Sequence, residues 1–146
     1  MSSFICNDGS LELPGGWEDR TVVALSFPAG AKKPDASFAI TRDRSASADD
    51  SLASYVDRQL VDMAKSCPKF DLVRRERIAL NGENAESMEF SWRSPDGSFV
   101  RQKQTIILLK SGVAVALTGT APANRFQEFA EVFHNMVKTF RTRKED

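Results

Sequence analysis

The sequence predicts an α+β fold, a twisted antiparallel β-sheet with two main helices packed mainly on one face. Four consecutive strand-like segments are joined by turn residues, and an amphipathic helical segment lies on either side of them. Regular alternation of strands and helices, which would favour a parallel sheet, is absent. The chain has 146 residues. Since this length can bury one self-sufficient core, we expect residues 1–146 to form a single domain.

The first part of the chain predicts short strands. Residues 11–13 alternate between apolar and polar side chains and end at a Pro-Gly-Gly turn. Residues 21–27 are β-branched and apolar and stop at Pro28, and a polar loop separates them from a strand at residues 37–41. The strands at residues 21–27 and 37–41 are expected to pair.

A helix is expected at residues 48–66, covering one face of the sheet. Ser47 and Asp50 resemble a helix-start cap, and Pro68 ends the segment. Apolar residues recur at the i, i+3, i+4, i+7 spacing of an amphipathic helix, at Leu52, Tyr55, Val56, Leu60 and Met63.

Four antiparallel strands are then expected at residues 70–80, 84–93, 98–109 and 112–120. The connections contain Asn-Gly and Pro-Asp-Gly, which tolerate the positive φ angles of hairpin turns. The last element is a helix at residues 124–140, with Asn124 and Gln127 as a cap pair. Its apolar stripe predicts a set of core contacts, in which Phe126, Phe129 and Phe133 pack against Phe90, Trp92 and Leu117.

Charge and apolar runs limit the classes of partner and the compartment. Twenty basic residues balance twenty acidic residues, so no net field attracts nucleic acid or an anionic membrane. No apolar run is long enough for stable membrane insertion, and the N-terminus lacks a secretory signal, so we expect a cytoplasmic protein. Cys6 and Cys67 are expected to be reduced there, although a disulfide between them stays an alternative.

Motifs for catalysis or metal binding are missing. The sequence has no nucleophile elbow, no paired-cysteine motif and no glycine-rich phosphate loop, so we expect no enzyme, no cofactor and no metal. Glu83, Glu86, Glu89 and the basic cluster at residues 74–77 are interpreted as solvated surface. A small-ligand-binding or hydrolytic enzyme stays an alternative, as does a general protein-interaction subunit. Such an enzyme would use Arg42, Asp43 or His134.

Three glutamines occupy positions where apolar residues are expected. On a helical wheel Gln59 falls inside the apolar stripe of the first long helix. Gln102 and Gln104 share one face of a strand with Val100, Ile106 and Leu108. Each amide either bonds a nearby backbone group or lies at a solvated rim, or it awaits an external partner that offers backbone carbonyls or small polar groups.

A second face of the sheet is small and apolar. Val22, Ala24 and Ala39 point away from the side that carries Leu25 and Phe38. A face left open to water should be polar. This face is therefore covered by a loop or by a second copy, or it is a binding platform.

Several segments, taken in order, resemble the Eag chaperones of type VI secretion, which belong to the DcrB-like group and have a PsbP-like fold. The segments are residues 11–14 with Trp17, residues 22–28, residues 37–43, residues 55–60 and residues 101–102. Their order and spacing agree from about residue 11 to residue 122. The resemblance covers nearly the whole chain, and it depends on the set of segments rather than on one motif.

The resemblance implies a cytosolic homodimer that shields the N-terminal transmembrane segments of effectors carrying PAAR-type tip domains, including Rhs effectors. It implies polar contacts from Gln59 and Gln102 and an apolar groove lined by Val22, Ala24 and Ala39. Ala24 and Ala39 are smaller, and Gln104 is more polar, than such a groove leads one to expect. The full predicted effector-binding set is Val22, Ala24, Ala39, Gln59, Val100, Gln102 and Gln104.

Overall fold

The computed structural model describes residues 2–27, 36–44 and 51–143. The strands are β1 (Ser2–Cys6), β2 (Gly9–Leu13), β3 (Val23–Phe27), β4 (Ala36–Asp43), β5 (Asp71–Leu80), β6 (Glu83–Arg93), β7 (Phe99–Leu108) and β8 (Ala114–Pro122). The helices are α1 (Leu52–Ser66), between β4 and β5, and α2 (Phe126–Thr139), which follows a 3-10 turn at Ala123–Arg125. An α+β fold with an antiparallel sheet and two helices is confirmed.

Six strands form one antiparallel sheet in the order β3-β4-β8-β7-β6-β5. The predicted four-stranded meander corresponds to β5 through β8, and the predicted pair corresponds to β3 and β4. β1 and β2 form a separate hairpin. The sequence did not predict β1, because the adjacent apolar residues Ile5 and Cys6 break the alternation that indicates a strand. Both are exposed in the structure.

The two helices pack on opposite faces of the sheet, so the prediction that both lie mainly on one face is wrong. α1 lies over β6 and β7, whereas α2 lies chiefly over β8. Ile106 and Ile107 are adjacent on β7, and each belongs to the core beneath a different helix. Both faces of β7 are therefore buried there, and successive residues of this strand are apolar rather than alternating.

The α2 core contains the predicted phenylalanines but only part of their predicted surroundings. Phe126, Phe129 and Phe133 are buried in one cluster with Leu117. Phe90 and Trp92 pack instead in the cluster under α1. They occupy alternate positions of β6 that point to the α1 face, so the predicted contact between them and α2 is wrong.

The helix ends differ from the sequence prediction. Ser51 caps α1, its Oγ accepting a hydrogen bond from Ser54 N at 3.1 Å. The predicted cap at Ser47 and Asp50 lies outside the described residues. α2 has no side-chain cap, because the preceding 3-10 turn brings the chain into the helix, and the predicted cap pair of Asn124 and Gln127 is wrong. In the described part of the chain, neither helix is long and apolar enough to cross a bilayer.

Candidate functional site

The α1 face of the sheet is only half covered. α1 packs on β6 and β7, and the same face continues onto β8, β4 and β3. There the side chains are small, and each is half-buried or exposed. We call these residues the platform: Ala24, Ser26, Ser37, Ala39, Thr118 and Thr120. The platform is an open surface of short, uncharged side chains beside a helix.

Strand register arranges the platform in two rows that run across the sheet. The first row is Ala24, Ala39, Thr118 and Gln104, each directly opposite the next. The second row is Ser26, Ser37, Thr120 and Gln102. Opposite residues of an antiparallel pair point to the same face. The structure therefore places four of the predicted residues together, since Ala24, Ala39, Gln102 and Gln104 all belong to these rows.

Gln102 and Gln104 are half-buried and hydrogen-bonded. Gln102 accepts from Trp92 Nε1 at 2.7 Å and donates through Nε2 to Thr120 Oγ1 at 2.8 Å. Gln104 donates through Nε2 to Thr118 Oγ1 at 3.2 Å. Both amides therefore have local partners, but these are side chains of neighbouring strands and not the nearby backbone groups that were one expected alternative.

Gln59 lies on α1, one turn beyond Tyr55. The Tyr55 hydroxyl donates to Asp43 Oδ2 at 2.6 Å, so this flank of α1 is directed toward the end of β4. Gln59 is half-buried and borders a depression of about 350 Å³ on the helix surface. Its amide makes no hydrogen bond within the described residues. Gln59 is the one predicted amide that keeps its full bonding capacity.

Val22 and Val100 lie at the margins of the platform. Val100 is half-buried, one step along β7 beyond Gln102, opposite Trp92 and Pro122. Val22 precedes β3 and is 58% exposed, in a depression of about 450 Å³ that it shares with charged residues. One of these is Asp19, whose pKa is lowered because its carboxylate accepts hydrogen bonds from the hydroxyl and N–H of Thr21. The surroundings of Val22 are more polar than a groove lining predicts.

A charge cluster with one buried carboxylate links α1 to the sheet. Arg75 on β5 bonds Glu86 Oε1 through Nε at 2.7 Å and Asp57 Oδ1 through Nη1 at 2.6 Å, and its Nη2 lies 3.3 Å from the Ala53 carbonyl oxygen. Hydrogen bonds to the two carboxylates raise the pKa of Arg75. Glu86 is 4% exposed, and burial of a carboxylate requires such pairing.

The interpretation of Glu86 and the basic cluster as solvated surface is therefore wrong at two positions, Glu86 and Arg75. The signal that sequence reasoning missed is the alternation of side chains along β6. Glu86 occupies the same alternating series as Met88 and Phe90, which predicts a position beneath α1.

The opposite face carries an apolar cleft between β3 and α2. It has a volume of about 420 Å³ and is lined by Leu25, Phe27, Phe129 and Val132, among others. The rings of Phe27 and Phe129 meet edge to face at 5.6 Å. Leu25 is 47% and Phe27 58% exposed. These side chains point to the core face, as predicted, but β3 is an edge strand that α2 covers only in part.

Of the side chains considered for catalysis, Arg42 and Asp43 border the depression near Val22 but point to opposite faces of β4, and His134 lies on α2. Asp43 is on the α1 face and accepts from Tyr55. Arg42, its neighbour on β4, points to the other face, and its Nη1 lies 3.8 Å from Asp19. His134 is exposed on α2. No group of three or more His, Cys, Asp or Glu side chains that could hold a metal occurs in the described ranges, and Cys6 and Cys67 are free thiols.

Known proteins share both the family and the fold. The family model DcrB matches residues 8–139. Effector EagT6 of Pseudomonas aeruginosa is 31% identical over 124 residues, which cover 85% of each chain. A P. aeruginosa protein of unknown function, PA94, has a crystal structure that matches with a TM-score of 0.84 at 26% identity over 99% of both chains.

More distant structures share the fold alone. LpqN of Mycobacterium tuberculosis matches with a TM-score of 0.58 at 16% identity, over 77% of this chain and 65% of its own. Cyanobacterial PsbP from Synechocystis matches with a TM-score of 0.54 at 12% identity, over 91% of this chain and 99% of its own. The chain therefore has a PsbP-like fold. The chain belongs to the DcrB family, and its resemblance to the Eag proteins is confirmed.

Proposed function

We propose that this protein is a type VI secretion chaperone that binds the N-terminal transmembrane segments of a PAAR-containing effector. Rhs effectors are one such class. The chaperone shields these segments in the cytoplasm before the effector is loaded on the secretion spike. The open platform beside α1 is the observation that carries the proposal, and the 31% identity to Effector EagT6 supports the class of partner. The proposal includes no catalytic residue and no cofactor.

The platform suits an apolar helix by size and by charge. A transmembrane helix exposes about 20 apolar residues and aggregates in water unless they are covered. None of the platform side chains is charged, and the longest is threonine. Short side chains let a helix backbone approach closely, as small residues do between membrane helices. Ala24 and Ala39 contribute by being short, and a bulky pair there would hold the bound helix away from the sheet.

Amides supply the polar part of the proposed site. Gln102 and Gln104 on β7 end the two rows of the platform, and Gln59 lies on α1, the helix over the same face. An amide both donates and accepts, and it costs less to bury than a charged group. Gln59, with no internal partner within the described residues, is free to bond the guest, by which we mean the bound effector helix. Val22 and Val100 are proposed as apolar contacts at the margins.

We propose that two copies associate, so that their platforms together enclose the guest. Exposed apolar residues on edge strand β3 and on the β1–β2 hairpin support this, because isolated copies would leave them in water. The most exposed of these are Ile5 at 74%, Phe27 at 58% and Leu11 at 55%, and Trp17, in the segment between the hairpin and β3, is 71% exposed. A two-fold assembly doubles the shielding area with one gene product.

Co-expression with the effector encoded beside its gene tests the proposal. The tagged protein should retain the full effector and lose an effector that lacks its predicted transmembrane segments. Replacing Gln59 and Gln102 together by Ala should weaken the complex, at about 0.5–1.5 kcal/mol for each hydrogen bond lost. Equal capture of both effector forms would reject the platform as the binding site.

A further inference from the structure

Trp92, Gln102 and Thr120 form a chain of hydrogen bonds with a fixed direction. An indole N–H only donates, and Trp92 Nε1 lies 2.7 Å from Gln102 Oε1. The amide oxygen therefore faces the indole, and the amide NH2 faces Thr120 Oγ1 at 2.8 Å. Since that NH2 group only donates, Thr120 must accept, and its own hydroxyl proton is left for another acceptor.

The hydroxyl proton of Thr120 has no acceptor among the described residues. β8 lies between β4 and β7, so its backbone carbonyls take part in the two ladders. Gln104 repeats the arrangement by donating to Thr118 Oγ1 at 3.2 Å. Both threonines are half-buried on the open platform. The platform thus presents two hydroxyl donors, each oriented by a glutamine of the neighbouring strand.

We propose that the hydroxyls of Thr118 and Thr120 donate hydrogen bonds to the bound helix and select one whose small residues leave its carbonyls open along one face. This inference rests on the proposed function. Residues two apart on a strand are about 6.8 Å from each other. Carbonyls four apart on a helix are about 6 Å from each other along the axis. A helix that lies along β8 can therefore bring two of its carbonyls, four residues apart, to the two hydroxyls.

A threonine hydroxyl can donate to a carbonyl of the bound helix even though that carbonyl already accepts a hydrogen bond within the helix. A backbone carbonyl has two lone pairs, and the second is accessible where no large side chain covers it. Gly and Ala leave it open, whereas Leu covers it. In this arrangement Gln102 and Gln104 act as positioning residues, since each holds a hydroxyl so that its proton points to the guest.

The test uses two defined guests, each a designed 20-residue apolar helix fused to a soluble carrier and co-expressed with the protein. One guest has Gly and Ala along one face and Leu elsewhere, and the other has Leu throughout. Release is measured as exchange of bound tagged protein against an excess of untagged protein. Thr120→Val and Thr118→Val should each speed release of the Gly/Ala guest about three- to tenfold. Thr120→Ser, which keeps the hydroxyl, should stay within about twofold of the original rate.

The Leu guest separates selection from a structural role. All variants should release it at the same rate, because its carbonyls are covered. Unchanged release of the Gly/Ala guest from both valine variants would overturn the inference, as would equally faster release of both guests. If the unaltered protein holds neither guest, the proposed function itself fails. Thermal unfolding of each free variant checks its fold, and Thr118→Val decides the question if Thr120→Val does not fold.

Discussion

Gly119 lies directly against the ring of Phe133. A β-carbon at Gly119 would be 2.5 Å from Cγ of Phe133. Carbon atoms that are not bonded to each other do not approach so closely. The absence of a side chain at Gly119 is therefore what allows α2 to pack onto the centre of the sheet. Phe133 is 3% exposed and stacks at 6.2 Å from Phe129.

Gly119→Ala should therefore lower the free energy of unfolding by about 1–3 kcal/mol through overpacking. Phe133→Ala should lower it by about 3–5 kcal/mol by leaving a cavity. The double variant should lose less stability than the sum of the two single-variant losses, because the missing ring makes room for the methyl group. Urea denaturation measures all three. Gly9→Ala is the control, because a β-carbon there meets nothing within 4 Å.

Arg75→Met should destabilise the protein by about 1–3 kcal/mol, because it leaves the carboxylate of Glu86 buried without its cation. Arg74→Met, at an exposed neighbouring position, is the matched control and should change stability by less than about 0.5 kcal/mol. Chemical denaturation of both variants at neutral pH gives the comparison. Equal midpoints would show that the Arg75 cluster does not hold α1 in place.

Ala24→Asp should abolish capture of the effector while leaving the free protein folded. Ala24 is exposed in the free protein, so the carboxylate is solvated there, whereas a bound apolar helix would bury it unpaired. His134→Asp, at an exposed position of α2 outside the cleft with Leu25, should leave capture unchanged. Pull-down of the co-expressed effector, with thermal unfolding of each free variant, measures the effect. Loss of capture by His134→Asp alone would move the binding surface to the other face.

Leu25→Asp should convert a dimer to a monomer. We expect the unaltered protein to show twice the 16.2 kDa of one chain in light scattering at micromolar concentration. Val61→Asp provides the control, since Val61 is 53% exposed on α1, which packs on β6 and β7 and not on edge strand β3. A mass of one chain for the unaltered protein, with and without effector, would contradict the proposed association.

The order of elements could be predicted from the sequence because turns and periodicity are local signals. Asn81 and Gly82 both have positive φ angles, 48° and 87°, as the predicted hairpin turn requires. The opposition of Ala24 and Ala39 on a face away from Leu25 followed from period-two alternation, and the register bears it out. The placement of the two helices could not be predicted in this way, because both faces of the central strands are apolar.

Part of the candidate site also depended on contacts between distant residues. Gln102 and Gln104 stood out because polar residues interrupted an apolar face, but their partners Thr118 and Thr120 looked unremarkable in sequence. Only the register of β7 and β8 pairs them. The pairing of Glu86 was likewise hidden, since its cation Arg75 lies 11 positions earlier in the chain. Alternation in the sequence located the unexpected glutamines, and strand pairing was needed to identify their partners.

Site-specific photocrosslinking tests the central claim most directly. A photoreactive amino acid is placed at Ala39, in the middle of the first platform row, and in a second protein at Val132 on the opposite face. After irradiation of the complex with the effector, crosslinked peptides are mapped by mass spectrometry. The account predicts crosslinks from position 39 to the effector's N-terminal transmembrane segments and none to them from position 132. Crosslinks to those segments from position 132 but not from position 39 would contradict it.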